Sequence, residues 1–115
     1  MQVLKNGEIY PKMNDSELWK EIFPQIKKDD WETVEQHLNK EQDNFIIKLR
    51  QDYSLLLEED IHIIILLRLG VSHEKIARLF HILLASLRTR RYRIKKKMGI
   101  VNDYHLTEFI RILYE

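Results

Sequence analysis

One stretch of the sequence, IHIIILLRLG at residues 61–70, restricts the possible folds of this chain more than any other. Its β-branched isoleucines would also suit a buried strand. However, the acids at Glu58–Asp60 suit the first turn of a helix, Arg68 suits the last turn, and Gly70 stands just past a helix end. We therefore predict a helix, and because it is apolar on nearly all sides, it must lie at the centre of a core.

Length and composition favour one small helical domain with a short appendage. Three glycines and two prolines favour helices with short connections, and the absence of cysteine excludes disulfides and thiolate metal sites. The N-terminus lacks the apolar segment of a signal peptide, and the longest apolar run, Ile63–Leu67, is too short to span a bilayer. We therefore expect a soluble, cytoplasmic protein without membrane association.

The net charge of +1 conceals an uneven distribution of charge along the chain. Residues 1–60 hold eight Lys/Arg and fourteen Asp/Glu, whereas residues 61–115 hold eleven Lys/Arg and four Asp/Glu. This asymmetry indicates that the second part of the chain faces an anionic partner. The alternative is that the two parts neutralise each other.

The N-terminal residues 1–14 are predicted to form a leader or a small β-hairpin, with Asn6-Gly7 as its two-residue turn. Pro11 would end this element. The first helix is expected to follow Asp15 or Ser16 as its N-cap. Pro24 is expected to end or kink that helix.

Residues 15–54 are predicted to form a helical N-terminal extension. Asp29-Asp30 suit the start of a second helix, because acids are favourable at a helix N-terminus. Its buried side would carry Trp31, Val34 and Leu38. The apolar pattern resumes at Phe45, so the extension contains either one long helix or two helices with a break near Asn44.

The stretch Leu83–Ile100, LLASLRTRRYRIKKKMGI, carries seven cations and no acid. At helical spacing one stripe is apolar, and a second stripe, with Arg88, Thr89, Tyr92 and Lys96, points away from it. The apolar stripe consists of Leu84, Leu87, Ile94 and Met98. Such a helix needs a core behind it and an anion in front, and the DNA backbone is the first candidate. A solvated basic face and a membrane-surface helix are the alternatives.

A short helix is predicted just before this stretch. Ser72 suits its N-cap, and its inward side would hold Ile76, Leu79 and Phe80. A turn of three or four residues at His81–Leu84 then leads to the basic helix at about residues 84–98. A short helix, a tight turn and a second helix with a cationic outer stripe form a helix-turn-helix. A last helix is predicted from Asn102 or Asp103 to Tyr114.

Several motifs resemble the LuxR-type helix-turn-helix of bacterial transcription regulators, in the version common in Bacteroidetes-type regulators. These motifs are LLRLG at 66–70, Val71-Ser72, Lys75-Ile76-Ala77 and RYRIKKKMGI at 91–100. The resemblance covers roughly residues 30 to 113. It implies an all-α fold, with a LuxR-type four-helix helix-turn-helix domain at 55–115 after the helical extension. It also implies a sequence-specific DNA-binding transcriptional regulator that acts on double-stranded DNA as a homodimer and needs no cofactor.

The resemblance assigns roles to individual residues of this chain. The base-contacting positions correspond to Arg88, Thr89 and Tyr92. Contacts to DNA phosphates are expected from Lys75, Ser86, Arg93, Lys95 and Lys96. The last helix would offer a dimer surface through Tyr104, Leu106 or Ile110. Arg91 lies on the inward side of the basic helix, so it either contacts DNA, packs its stem inward, or pairs with Glu58, Glu59 or Glu74.

Two positions depart from the family pattern. Leu57 and Leu83-Leu84 stand where the family usually has polar helix caps, and losing such a cap typically costs on the order of 1 kcal/mol. If Leu83-Leu84 are exposed, they would suit a protein partner. The alternative function is therefore a drifted helix-turn-helix that acts as a protein–protein interaction module.

Other chemistry has little support in the sequence. The five histidines, at 37, 62, 73, 81 and 105, lack the spacing of metal ligands. The sequence contains no Gly-rich phosphate loop, nucleophile elbow or paired catalytic set. We therefore expect a protein that is not an enzyme, without a metal site or an evident small-molecule site.

Overall fold

The computed structural model describes residues 2–3, 9–10, 14–100 and 105–115, and these residues form seven helices and one pair of two-residue strands. The predicted all-α class is thereby confirmed. The chain divides into two compact units, residues 1–48 and residues 49–115. None of the helices described is both long enough and apolar enough to cross a bilayer.

The first unit begins with strands β1 (Gln2–Val3) and β2 (Ile9–Tyr10), which pair antiparallel with Gln2 opposite Tyr10. The predicted turn Asn6-Gly7 lies outside the described residues. Helices α1 (Asp15–Lys27) and α2 (Trp31–Glu41) follow and pack against each other. Their contact places two sets of apolar side chains in the interior of this unit, namely Leu18, Ile22 and Ile26 of α1 and Val34 and Leu38 of α2.

Helix α1 has an earlier N-cap than predicted, and of the two outcomes predicted at Pro24, a helix end or a kink, the end is wrong. Its N-cap is Asn14, whose side chain accepts a hydrogen bond from the Glu17 backbone N–H at 2.8 Å. Pro24 does not end the helix, which continues to Lys27. The reason is that a buried stripe runs past the proline, since Ile22 before it and Ile26 after it are both buried.

The predicted break near Asn44 is confirmed, because α2 ends at Glu41 and α3 (Phe45–Asp52) is a separate helix. Asp43 and Asn44 both have positive φ angles, of 52° and 61°, which a helix does not allow. The side chain of Asn39 in α2 then accepts hydrogen bonds from the first backbone N–H groups of α3, at Ile46 and Ile47. The cap of α3 therefore comes from the preceding helix.

The second unit contains α4 (Glu58–Arg68), α5 (His73–Leu79), α6 (Leu84–Lys97) and α7 (Leu106–Ile112). The predicted central helix is confirmed, because α4 is buried along most of its length, including all of Ile63–Leu67. Helix α7 packs against α4, and α5 packs against α6. Ser72 caps α5 as predicted, since its Oγ accepts from the Lys75 backbone N–H.

Helix α7 is shorter than predicted, and two of its proposed dimer residues are buried. Its N-cap is His105, not a residue at 102 or 103, and it ends at Ile112, not Tyr114. The proposed dimer residues Leu106 and Ile110 are buried inside their own unit, at 4% and 0% exposure, so they form core rather than a dimer surface. Tyr104 lies outside the described residues.

Hydrogen bonds from Arg68 of α4 hold the C-terminal end of α7. The Arg68 guanidinium donates hydrogen bonds to the backbone carbonyl oxygens of Ile110, Arg111 and Leu113, at 2.7, 3.2 and 2.9 Å. The last carbonyls of a helix have no partner within the helix. Arg68 therefore supplies the donors that the C-terminus of α7 requires.

We expect Arg68→Met to lower the free energy of unfolding by about 1–3 kcal/mol, because carbonyls at a partly buried helix end lose a charged donor. Chemical denaturation of the full chain measures this change. Arg78→Met is the matched control, since Arg78 occupies the last turn of α5 and is exposed. Equal effects of the two substitutions would contradict the proposed anchoring of α7.

Candidate nucleic-acid interface

Helix α6 is the predicted basic helix, with almost the predicted bounds. Three of the four residues of its predicted apolar stripe are buried, namely Leu87, Ile94 and Met98. Leu84 is the exception, because 46% of it is exposed. Leu83 is the N-cap residue of α6, makes no side-chain capping hydrogen bond and is 76% exposed. The beginning of α6 therefore presents two adjacent leucines to solvent.

Acids in the first turn of α4 bind two of the seven cations of the basic stretch. Glu59 forms an ion pair with Arg90, and Asp60 forms one with Lys97 at 2.7 Å. Of the three alternatives predicted for Arg91, the ion pair with Glu58, Glu59 or Glu74 is not found among the described residues, and Arg90 binds Glu59 instead. One residue turns a helix by about 100°, so Arg90 and Arg91 point in clearly different directions, and the position of α6 decides which of them reaches Glu59.

Asp60 supplies one half of a capping box at the start of α4, although Leu57 itself has no side chain that can cap the helix. The Asp60 carboxylate accepts a hydrogen bond from the Leu57 backbone N–H at 2.8 Å while it binds Lys97. Glu58, the first residue of α4, forms a bidentate salt bridge with Arg50, whose two terminal nitrogens lie 2.7 and 3.0 Å from the carboxylate oxygens. The hydrogen bonds from Arg50 hold the pKa of the Glu58 carboxyl below its ordinary value. All three acids predicted as a helix start therefore also bind cations.

The predicted base-contacting residues lie together on the exposed outer face of α6. Arg88, Thr89 and Tyr92 are all exposed, and Tyr92 is 59% exposed. The Thr89 hydroxyl donates to the backbone carbonyl of Ala85 at 3.2 Å. The Lys96 ammonium lies 4.9 Å from the centroid of the Tyr92 ring, within the range of a cation–π interaction. These four side chains form what we term the outer face.

The predicted phosphate-contacting residues divide into two groups by burial. Ser86, Arg93 and Lys96 are exposed on α6, whereas Lys95 and Lys75 are half-buried. Lys75 belongs to α5, and the other four belong to α6. Four of the five predicted phosphate contacts therefore lie on a single helix, and Lys75 lies on α5, which packs against that helix.

Beside the outer face is a pocket of about 180 Å³, which the sequence pattern does not predict. The described residues that line it are Arg88, Arg91, Tyr92, Lys95, His105 and Leu106. The four from α6 follow the spacing i, i+3, i+4, i+7, which places them on one side of the helix. That spacing is visible in the sequence, but the wall from His105 and Leu106 depends on the position of α7.

Arg91 is a half-buried cation of this pocket. Its Nε is buried and has no hydrogen-bond partner within the described part of the chain. Burial and the nearby charge of Arg88 lower the pKa of Arg91, although a guanidinium remains protonated at neutral pH. Burial, followed by the charge of Arg91, also lowers the pKa of His73 on α5. Arg91 therefore lies in a crowded cationic environment.

Comparison with known proteins gives no relative: the chain matches no protein-family model, no curated protein and no solved structure.

We expect the imidazole of His73 to titrate below 6.5, its ordinary pKa, and Arg91→Gln to raise this pKa part of the way back. Burial, the larger cause, remains in the variant. Because the folded pKa is depressed, the contribution of His73 to stability is present above pH 6.5 and is lost as the pH falls through the folded pKa.

An NMR titration of the histidine ring protons measures both pKa values. Arg78→Gln removes one charge from an exposed position of α5 and should leave the titration of His73 unchanged. An identical His73 pKa in the Arg91→Gln variant and the parent chain would show that Arg91 does not lie where the structure places it.

Proposed function

We propose that this chain is a sequence-specific DNA-binding transcriptional regulator of the LuxR type, with α6 as the helix that enters the major groove. The observation that carries the proposal is the outer face of α6, which is exposed and cationic and has no acid on the same helix. The acids of α4 pair with Arg90 and Lys97 instead. The outer-face cations are therefore the ones suited to phosphates and base edges.

The arrangement of α5 and α6 supports the same proposal. A seven-residue helix and a fourteen-residue helix pack together and are joined by residues 80–83. His81 in this connection has a φ of 55°, which turns the chain sharply. In helix-turn-helix proteins the second helix lies in the major groove, and residues of its N-terminal part contact base edges.

The side chains on the outer face suit distinct contacts. Arg88 would donate two hydrogen bonds from its guanidinium to a guanine, and this bidentate contact is the commonest specific contact in the major groove. The hydroxyl of Thr89 is bonded to its own helix, so its methyl group is the part suited to a thymine methyl. Tyr92 would contact a base edge or a phosphate.

Backbone contacts would hold the helix in the groove without reading the sequence. Arg93, Lys96 and Ser86 are exposed for this role, and Lys95 and Lys75 flank them. The first turn of α6 has no side-chain cap, so its N–H groups suit a phosphate oxygen. A homodimer would place two such helices about one turn of DNA apart. Its α7 contact would use an exposed side chain such as Ile112, not the buried Leu106 or Ile110.

Arg88→Ala should relax specificity at one base pair, with a loss of about 1–3 kcal/mol of discrimination against the wrong base. Lys96→Ala should weaken binding to all sequences alike and should reduce the salt dependence of log K by about 0.9, because one phosphate contact is lost. Selection of bound duplexes from a random pool, followed by anisotropy titrations at several salt concentrations, measures both effects.

Arg78→Ala serves as the control for both variants, because it removes a charge that we assign to no DNA contact. Undetectable binding to any duplex, or an affinity that does not change with salt, would refute the proposed function.

A protein–protein interaction module is the second candidate function, and the exposure of Leu83 and Leu84 favours it. Adjacent exposed leucines at the start of a helix are apolar surface that a protein partner would cover. In this alternative, a partner or a second copy of the chain would occupy the beginning of α6.

Leu83→Ser should raise the free energy of unfolding by about 1 kcal/mol, because Leu83 has the extended backbone of an N-cap and serine can accept from the first turn. Chemical denaturation measures the stability, and sedimentation equilibrium measures the oligomeric state. If the chain is a DNA-binding regulator, the variant still binds DNA, but more weakly, because serine occupies a first-turn N–H group that a phosphate would use. Loss of self-association in the variant, together with a parent chain that binds no duplex, would favour the interaction module.

A further inference from the structure

The pocket beside the outer face has the charge of an anion-binding site. Three of its lining residues, Arg88, Arg91 and Lys95, are cations, and the described residues contribute no carboxylate to its wall. Its volume is about 180 Å³. Because a single water needs only about 10–15 Å³ of such space, the pocket has room for a polyatomic anion and several waters.

Arg91 supplies a specific donor for such an anion. Its Nε–H group is buried, and no acceptor from the described residues reaches it. A buried donor without an acceptor is unfavourable, and the crowding of Arg91 by Arg88 adds electrostatic repulsion. An oxyanion in the pocket would lie against the guanidinium of Arg91, which lines the pocket, and would screen the guanidinium groups of Arg88 and Arg91 from each other.

We propose that this pocket binds a phosphate group, either as inorganic phosphate or as the head of a small phosphomonoester, and that the bound phosphate excludes DNA from α6. A phosphate offers several oxygens and up to two negative charges, which suit hydrogen bonds from the guanidinium groups of Arg88 and Arg91 and the ammonium group of Lys95. A carboxylate offers only two oxygens and a single charge, so it would match the two guanidinium groups of Arg88 and Arg91 less well than a phosphate does.

The exclusion of DNA rests on the proposed function, whereas the binding of phosphate does not. Arg88 and Tyr92 line the pocket and also belong to the outer face that we assign to DNA bases. A phosphate held by Arg88 would occupy the donors that a guanine requires. The anion would therefore compete with DNA for α6 and would act as an effector of a DNA-binding regulator.

Arginine Nε–H NMR signals of the full chain provide the direct test. Inorganic phosphate and glycerol phosphate are titrated in separate arms, and sodium chloride at matched ionic strength is the reference. We expect saturable shifts of the Arg91 Nε–H signal with phosphate and not with chloride. Shifts with both compounds would extend the site to phosphomonoesters, and shifts with inorganic phosphate alone would restrict it to the free ion. No shift, or an equal shift with chloride, would overturn the proposal.

Variants of the pocket test the assignment to Arg91. Arg91→Gln should weaken phosphate binding at least tenfold, and Arg78→Gln, with the same loss of charge, should leave it unchanged. Circular dichroism verifies that Arg91→Gln is folded. If it is not, Lys95→Gln removes a pocket cation while the buried Nε–H remains, and it should weaken binding several-fold. Wild-type phosphate affinity in the folded variants would overturn the site.

A DNA competition experiment separates this proposal from the proposed function. Phosphate should weaken DNA binding of the parent chain more than chloride at the same ionic strength, and this excess should disappear in Arg91→Gln. Phosphate binding without any excess would overturn the exclusion of DNA. A parent chain that binds no DNA would refute the proposed function, and the NMR titration alone would then decide whether the pocket binds phosphate.

Discussion

Buried apolar side chains set the rotation of α6, and this rotation brings two of its cations into ion pairs with the first turn of α4. Glu59 binds Arg90 and Asp60 binds Lys97, so α6 is held at two points that are seven residues apart. Seven residues are close to two helical turns, which places both contacts on one side of the helix. The Lys97 pair is partly buried, so salt screens it less than a pair on the surface.

These contacts divide the cations of one short stretch into three groups with different surroundings. Two cations bind acids of α4, two more surround the pocket with Arg88, and Arg93 and Lys96 extend into solvent. The seven cations of this stretch therefore have different surroundings, although no acid interrupts them in the sequence. Buried Leu87 and Ile94 fix the rotation of α6, and this rotation decides which cation enters which group.

Much of the fold could be predicted from the sequence where local chemistry decides the outcome. The acids, the apolar run and Gly70 defined α4, and Ser72 defined the start of α5, because caps and periodicity act over a few residues. The helix through Pro24 could not be predicted from the proline alone, since the packing of Ile22 and Ile26 overrides it. The burial of Ile110 also depends on which side of α7 meets α4.

The candidate site was predictable in the same uneven way. Helical spacing correctly placed Arg88, Thr89 and Tyr92 on an exposed face, because an outward stripe follows from the position of the apolar one. The pairing of Arg90 and the pocket around Arg91 were not predictable, since both depend on contacts between residues far apart in sequence. Asp60 and Lys97, for example, are separated by 37 positions.

The carboxylate of Asp60 has a consequence for how the second unit opens. It holds the backbone at Leu57, where α4 begins, and the ammonium of Lys97, where α6 ends. Fraying of the last turn of α6 would therefore release the charge partner of the group that secures the start of the central helix. Hydrogen exchange should reflect this coupling, with the amides of both helix ends opening in one cooperative step. The last turn of the basic helix then shares its local unfolding with the start of the central helix.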